Sequence, residues 1–201
     1  MKELILYAIS VMWTPGPVNT VILNTGIRQG ARKVIPFVVG VSTAMSALII
    51  LYGLLGKTIE LYVESITFYT SIIGSIYMIY LAYKLLKSNI NLDESNSFEL
   101  KFKQGFFMQL FNPKGTLCAL PIATIYLPKM HTTWVSIFFI GILIGIIGGT
   151  GVFVIYALTG SVFKQIIKES KAVVIINWIM ALILIYLSIT LIYDHIIKVL
   201  F

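Results

Sequence analysis

Charged residues are scarce in this chain: they make up 11% of its 201 residues, and Asp and Glu together number only 8. A soluble globular domain carries about 25% charged residues. Hydrophobic residues account for 58% of the chain, and its mean hydropathy is +0.94. This composition excludes an ordinary soluble domain and is typical of a protein whose solvent is lipid.

Cysteine and histidine are nearly absent as well. The chain has one cysteine, Cys118, and two histidines, His131 and His195. No intrachain disulfide can form, and the ligands that transition metals prefer are not clustered. Both histidines fall at the ends of apolar runs, so Cys118 has no base partner of the kind an intramembrane enzyme needs. We therefore expect no metal centre, no cofactor and no enzymatic activity.

Long uncharged runs recur six times, and a single lysine lies inside one of them. Each run reaches the roughly 17–25 residues that a helix needs to cross a hydrocarbon core of about 30 Å. The predicted spans are Leu4–Ile27, Val34–Gly56, Ile66–Tyr83, Gly105–Pro128, Trp134–Phe163 and Ala172–Tyr193. The sequence thus predicts an all-α integral membrane protein with six transmembrane helices in a single transmembrane domain, residues 1–201.

The net charge of +7 is distributed unevenly between the two sides of these spans. The larger basic set is Arg28, Arg32, Lys33, Lys84, Lys87, Lys101, Lys103, Lys164, Lys168 and Lys171. The opposite side receives Lys2, Lys57, Lys129 and Lys198. The positive-inside rule places the larger set in the cytoplasm and both termini outside it. The basic character therefore indicates orientation in the cell membrane, and we expect no binding to nucleic acid.

Proline interrupts spans one and four beside polar residues, at Thr-Pro-Gly-Pro (14–17) and at Asn-Pro-Lys (112–114). Proline lacks an N–H group and clashes with the preceding turn, so both helices should be broken there. Lys114 is the single charge within a span, and a charge at bilayer depth costs about 2.5–3.5 kcal/mol on insertion scales. Secondary transporters build their sites from such broken helices. The predicted substrate-binding residues are Thr14, Pro15, Gly16, Pro17, Asn19, Ser42, Thr43, Gln109, Asn112, Pro113 and Lys114.

The spans also divide into two halves around a polar segment. Three spans precede residues 84–103 and three follow, so the second half should run inverted relative to the first. The broken spans one and four are each the first of their half. We predict two inverted three-helix repeats, residues 1–83 and 104–201, joined by a cytoplasmic linker at 84–103.

Several short motifs agree with a known family. They are Thr14-Pro15-Gly16-Pro17, the Gly30-x-Arg32 loop leading to Gly40, Gly74 with Tyr77, and Gln104-Gly105-Phe106 leading to Asn112-Pro113-Lys114. With them the chain resembles, along nearly its whole length, the lysine-exporter (LysE/RhtB-type) amino-acid exporters. The resemblance implies a six-span inner-membrane exporter driven by an ion or proton gradient, with amino acids or their relatives as substrates.

Two positions depart from the family pattern. Val18 follows Pro-Gly-Pro where members usually have Asn, and Asn19 comes one residue later. In span two, Met45 stands where the family has an intramembrane aspartate, so no Asp or Glu remains inside any predicted span. The absence of a carboxylate argues against a cationic substrate such as free lysine and removes the obvious proton carrier.

Lys114 is predicted to compensate for both departures. Its ammonium can pair with the carboxylate of a small amino acid, helped by the helix-end N–H groups near Asn19. Lys114 is also the candidate for coupling, because it can release a proton during the cycle. The alternative is a passive channel, or an exporter of another small solute, including a metal ion. Small-residue stripes in spans two and five permit a homo-oligomer without requiring one.

Overall fold

The chain is helical and contains no strand within the residues that the computed structural model describes, which are 1–87, 100–166 and 170–193. This confirms the all-α class. Most of the predicted linker at 84–103 lies outside the described residues, as does His195.

Ten α-helices follow one another along the described residues. They are α1 Lys2–Met12, α2 Pro17–Gln29, α3 Ala31–Leu55, α4 Val63–Lys87, α5 Phe102–Leu110, α6 Pro113–Pro121, α7 Leu127–Lys129, α8 Trp134–Val152, α9 Thr159–Ile166 and α10 Ser170–Ile192. A 3-10 helix, Gly56–Tyr62, leads into α4. Two π-helical segments, Ile122–Tyr126 and Phe153–Leu158, join α6 to α7 and α8 to α9. Helices α6 and α7 are therefore continuous along the chain, and so are α8 and α9.

Three helical stretches are long and apolar enough to cross a membrane: Ala31–Leu55, Thr58–Tyr83 and Trp134–Lys164. The bent pair α1 and α2 makes a fourth when the two are counted as one span. Within α10, Trp178–Ile192 is a shorter apolar helix. Large apolar side chains are exposed along the outside of these helices, for example Leu51, Ile76 and Phe139. Such a surface suits lipid and confirms a membrane protein.

Both predicted helix breaks are present. α1 ends at Met12 and α2 begins at Pro17, and the two are bent by 64°. α5 ends at Leu110 and α6 begins at Pro113. In both cases proline occupies the first position of the new helix, where its missing N–H group has no helical partner to lose.

The central helix is α3, which packs against α2, α5, α6 and α8. Its contact with α5 is a close backbone approach. A side chain at Gly40 would meet the Phe102 carbonyl, and a side chain at Gly105 would meet the Phe37 carbonyl. Glycine at both positions lets the two helices touch. The second broken helix is thereby held beside the middle of α3.

Candidate functional site

The two helix breaks lie against each other although 100 residues separate them. The Lys114 ammonium in the first turn of α6 donates a hydrogen bond to the Thr14 carbonyl at 2.6 Å. A second, longer bond reaches the Pro15 carbonyl at 3.4 Å. Gly16 is buried against the Lys114 side chain. The lysine that the sequence singles out therefore bridges the two breaks.

Carbonyl groups around the first break accept bonds from side chains instead of from a continuing helix. The Asn19 amide donates to the Thr14 carbonyl at 2.7 Å and to the Met12 carbonyl at 3.4 Å. The Tyr156 hydroxyl, from the π-helical segment after α8, donates to the Trp13 carbonyl at 2.8 Å. Each of these carbonyls is one that the interruption deprives of a helical donor. Donors from three separate elements thus hold the first break.

The second break is held locally. Asn112 caps α6, because its side-chain oxygen accepts a bond from the Lys114 backbone N–H at 3.1 Å. Its carbonyl accepts bonds from the N–H groups of Gly115 and Thr116. The Asn112 side chain also donates to Gln109 at 3.4 Å. Asn112 serves this break as an ordinary N-cap residue.

A cavity of about 30 Å³ lies between the breaks and helices α3 and α8. Its polar walls come from Asn19, Ser42, Gln109, Asn112 and Lys114. Its apolar walls include three sulfur-bearing side chains, those of Met12, Met45 and Cys118. Among the residues that the structure describes, no carboxylate lines it. A space of this size holds about two water molecules and no amino acid.

The structure brings six of the eleven predicted site residues to this cavity: Gly16, Asn19, Ser42, Gln109, Asn112 and Lys114. Thr14 and Pro15 are exposed residues at its edge and contribute their carbonyls to Lys114. Pro17 and Pro113 line a neighbouring space of about 10 Å³ beside α4. Thr43 lies elsewhere: it is exposed, bonds to its own helix at the Val39 carbonyl, and faces an outer groove between α3 and α8.

Met45 occupies the position where the family resemblance leads one to expect an aspartate. It is fully buried and accepts a bond from the Gln109 amide at its sulfur, at 3.3 Å. A neutral amide–thioether contact thus replaces a buried charge at this wall of the cavity.

Sequence reasoning missed Tyr156. It lies within the apolar run Trp134–Phe163, where no proline or charge marks it. The available signal was a hydroxyl-bearing ring several residues inside a long span, since interfacial tyrosines are expected at span ends. The bond to Trp13 depends on contacts across 143 residues, which the local pattern does not contain.

Interrupted helices that meet at a small polar cavity inside an apolar bundle are the construction used by membrane transporters. The chain belongs to the LysE type translocator family, whose family model matches residues 9–195.

Two relatives illustrate the similarity. The chain is 25% identical over 189 residues to a cysteine/O-acetylserine efflux protein of Escherichia coli O139:H28, with 93% of this chain and 94% of the relative aligned. It is 24% identical, with the same coverage, to the cysteine/O-acetylserine efflux protein of Escherichia coli K12. No solved structure matches the chain.

Proposed function

We propose that this protein is a secondary-active exporter of amino acids or their close derivatives across the cell membrane. The observation that carries the proposal is the polar cavity between two helix breaks, bridged by Lys114. Membership of a translocator family and full-length similarity to efflux proteins support it. The similar proteins are named for cysteine and O-acetylserine, which are small amino acids with neutral side chains.

The transmembrane arrangement that we propose is six spans in two inverted repeats, with the cavity near the bilayer midplane. Reciprocal contacts between the halves support it. The Ser75 hydroxyl donates to the Ser188 carbonyl at 3.3 Å, and the Ser188 hydroxyl donates to the Ser75 carbonyl at 3.1 Å. Likewise α2 packs on α9 and α10, while α6 packs on α3 and α4. Such exchange of equivalent contacts is what a pseudo-twofold axis between repeats produces.

The cavity chemistry favours a small zwitterion over a cation. Its polar groups are amides, a hydroxyl and one ammonium, and within the described part of the chain it has no carboxylate to pair with a cationic side chain. Lys114 and the first-turn N–H groups of α2, which no side chain caps, suit a carboxylate. The methionines and Cys118 suit a small apolar or sulfur-containing side chain.

Alternating access is the mechanism that the cavity supports best. An amino acid does not fit into about 30 Å³, so the surrounding helices must separate to admit it. A passive channel with the same two breaks would need a continuous opening. We therefore propose that transport proceeds by movement of the repeats around the Lys114 site, with both termini outside the cytoplasm.

The first experiment is efflux of an amino-acid panel, including cysteine, from dipeptide-loaded bacterial cells that lack their own exporters. The unmodified chain, Lys114→Gln and the control Lys129→Gln would be compared at matched expression. Lys129 is exposed at the end of α7, away from the cavity. We expect saturable, gradient-dependent efflux of a few neutral amino acids, reduced at least about tenfold in Lys114→Gln alone because a charge-assisted contact is lost.

Normal efflux from Lys114→Gln would rule out the assigned role of the lysine. Absence of efflux for every amino acid would contradict the substrate class and favour another small solute. Flux that neither saturates nor follows a gradient would favour the channel.

A further inference from the structure

The carbonyl groups of the first break form an acceptor for an ammonium ion, and that acceptor is occupied by the protein itself. Thr14 and Pro15 present their carbonyl oxygens to Lys114 at 2.6 and 3.4 Å. A lysine ammonium carries three donors and no acceptor, so it matches a cluster of carbonyls. Both residues are exposed at the edge of the cavity, where a ligand can reach them.

The proposed function requires Lys114 to release these carbonyls. If the ammonium turns to the carboxylate of a substrate, the Thr14 carbonyl keeps its bond from Asn19 at 2.7 Å. The Pro15 carbonyl keeps no other bond seen in the described part of the chain. Pro15 is exposed, so water can replace the lysine there, but a charge-assisted hydrogen bond is then exchanged for a weaker neutral one. Binding of a carboxylate alone would therefore break one interaction to make another.

We propose that the carbonyl oxygens of Thr14 and Pro15 are the subsite for the α-ammonium of the transported amino acid, and that Lys114 occupies this subsite when no substrate is bound. The inference rests on the proposed exporter function. An α-amino acid supplies both groups that this requires. Its carboxylate pairs with the Lys114 ammonium, and its own ammonium donates hydrogen bonds to the Thr14 and Pro15 carbonyls. No charge or carbonyl is left unpaired.

This exchange predicts which ligands the site accepts. An amine without a carboxylate has to displace Lys114 from the carbonyls and provides no carboxylate to pair with the displaced ammonium. A carboxylate without an amine leaves the carbonyls empty. Only a molecule that carries both groups on one carbon atom satisfies the whole set, so the site selects α-amino acids through Lys114 and two carbonyls instead of through a buried acid.

Removing the lysine should reverse this preference. In Lys114→Ala the Thr14 and Pro15 carbonyls no longer bind the lysine ammonium, and the carboxylate of a substrate has lost its partner. An amine without a carboxylate should therefore bind this variant better than it binds the unmodified chain. The probes are L-cysteine, cysteamine, which lacks the carboxylate, and 3-mercaptopropionate, which lacks the amine. Equilibrium binding would be measured under reducing conditions with the full chain in lipid nanodiscs. Lys129→Ala, which removes an exposed lysine at the end of α7, is the matched control.

For the unmodified chain and Lys129→Ala we expect L-cysteine to bind at least about tenfold more tightly than either analogue, as loss of a charge-assisted bond implies. For Lys114→Ala we expect cysteamine to bind about tenfold more tightly than it binds the unmodified chain, and L-cysteine to lose its advantage. If Lys114→Ala elutes as unfolded protein, Lys114→Gln takes its place. If Lys114→Gln is used, its amide still donates to the carbonyls and supports the break, so we expect L-cysteine to lose its advantage and cysteamine to gain less than it does in Lys114→Ala.

The outcomes separate the subsite from the exporter function. If Lys114→Ala loses L-cysteine without gaining cysteamine, the ammonium subsite is wrong and the exporter function stands. If the unmodified chain binds no amino acid while the variant gains cysteamine, the subsite stands and the substrate class is wrong. Loss of all ligands in a folded variant would overturn the inference as well, because the released carbonyls would then fail to bind an ammonium.

Discussion

Both helix breaks leave backbone groups without helical hydrogen-bond partners, and the two breaks satisfy these groups in different ways. At the first break, the carbonyls from Met12 to Pro15 depend on Asn19, Lys114 and Tyr156, and the latter two come from distant parts of the chain. At the second, Asn112 closes the gap with bonds that span no more than four residues.

The difference follows from the residues at each break. Two prolines on either side of Gly16 remove donors from the first break, and Gly16 has no side chain to act as a cap. Asn112 precedes a single proline and has the side chain that N-cap positions favour. A locally capped break is a stable end, whereas a break closed by remote donors can open when those donors move. We infer that the first break is the moving part of the site.

The largest effect on stability is expected at the second break, from Gly74→Ala on α4. A methyl group there would come within 2.5 Å of the Phe111 carbonyl, which is backbone and has little freedom to shift. Overpacking of this kind costs about 1–3 kcal/mol. We expect a lower thermal midpoint in detergent than for the unmodified chain.

Gly16→Ala is the matched control at the first break. Its methyl group would approach the flexible Lys114 side chain at 3.3 Å, and the extended backbone of Gly16 suits any residue. We expect a midpoint close to that of the unmodified chain. Equal losses in the two variants would show that both breaks are equally rigid and would contradict the comparison.

Tyr156→Phe should loosen the first break selectively. The Trp13 carbonyl would lose its 2.8 Å bond, at a cost of about 1–3 kcal/mol if no water replaces it. Hydrogen exchange measured by mass spectrometry should rise in residues 10–20 and stay unchanged in residues 108–118, with efflux reduced several-fold. Tyr186→Phe, on the exposed face of α10, is the control and should alter neither quantity. Uniform loosening of both segments would argue against separate control of the breaks.

The smallest effect is expected from Asn112→Ala, which removes the cap of α6. Loss of an N-cap side chain costs about 1 kcal/mol. Hydrogen exchange should rise in residues 108–118 and not in residues 10–20. Thr133→Ala removes the comparable cap of α8, where the Thr133 hydroxyl accepts a bond from the Ser136 N–H. The two variants should lose similar stability, but only Asn112→Ala should reduce efflux, because Thr133 lies outside the cavity lining. Reduced efflux in both would make the effect one of general stability.

Much of the site could be predicted from the sequence because its markers are local. Proline positions predicted both breaks, and the isolated charge of Lys114 marked it as a site candidate, which stays a prediction. Thr43 and Ser42 were both predicted as polar residues of the site. Ser42 lines both the cavity and the outer groove, whereas Thr43 lines only the outer groove. Tyr156 was missed because its partner, Trp13, lies 143 positions away and no local pattern links the two.

The sequence by itself determined the helical membrane class, the positions of the breaks and the absence of carboxylates from the predicted spans. These properties depend on hydropathy, on the geometry of proline and on composition, all of which act over a few residues. Only the tertiary structure decided that Lys114 binds the Thr14 and Pro15 carbonyls, that Met45 pairs with Gln109, and that Tyr156 reaches Trp13. Those contacts join residues 64 to 143 positions apart. They exist because α3 packs on α5, α1 on α6, and α2 on the π-helical segment Phe153–Leu158, which brings polar groups from distant parts of the chain together.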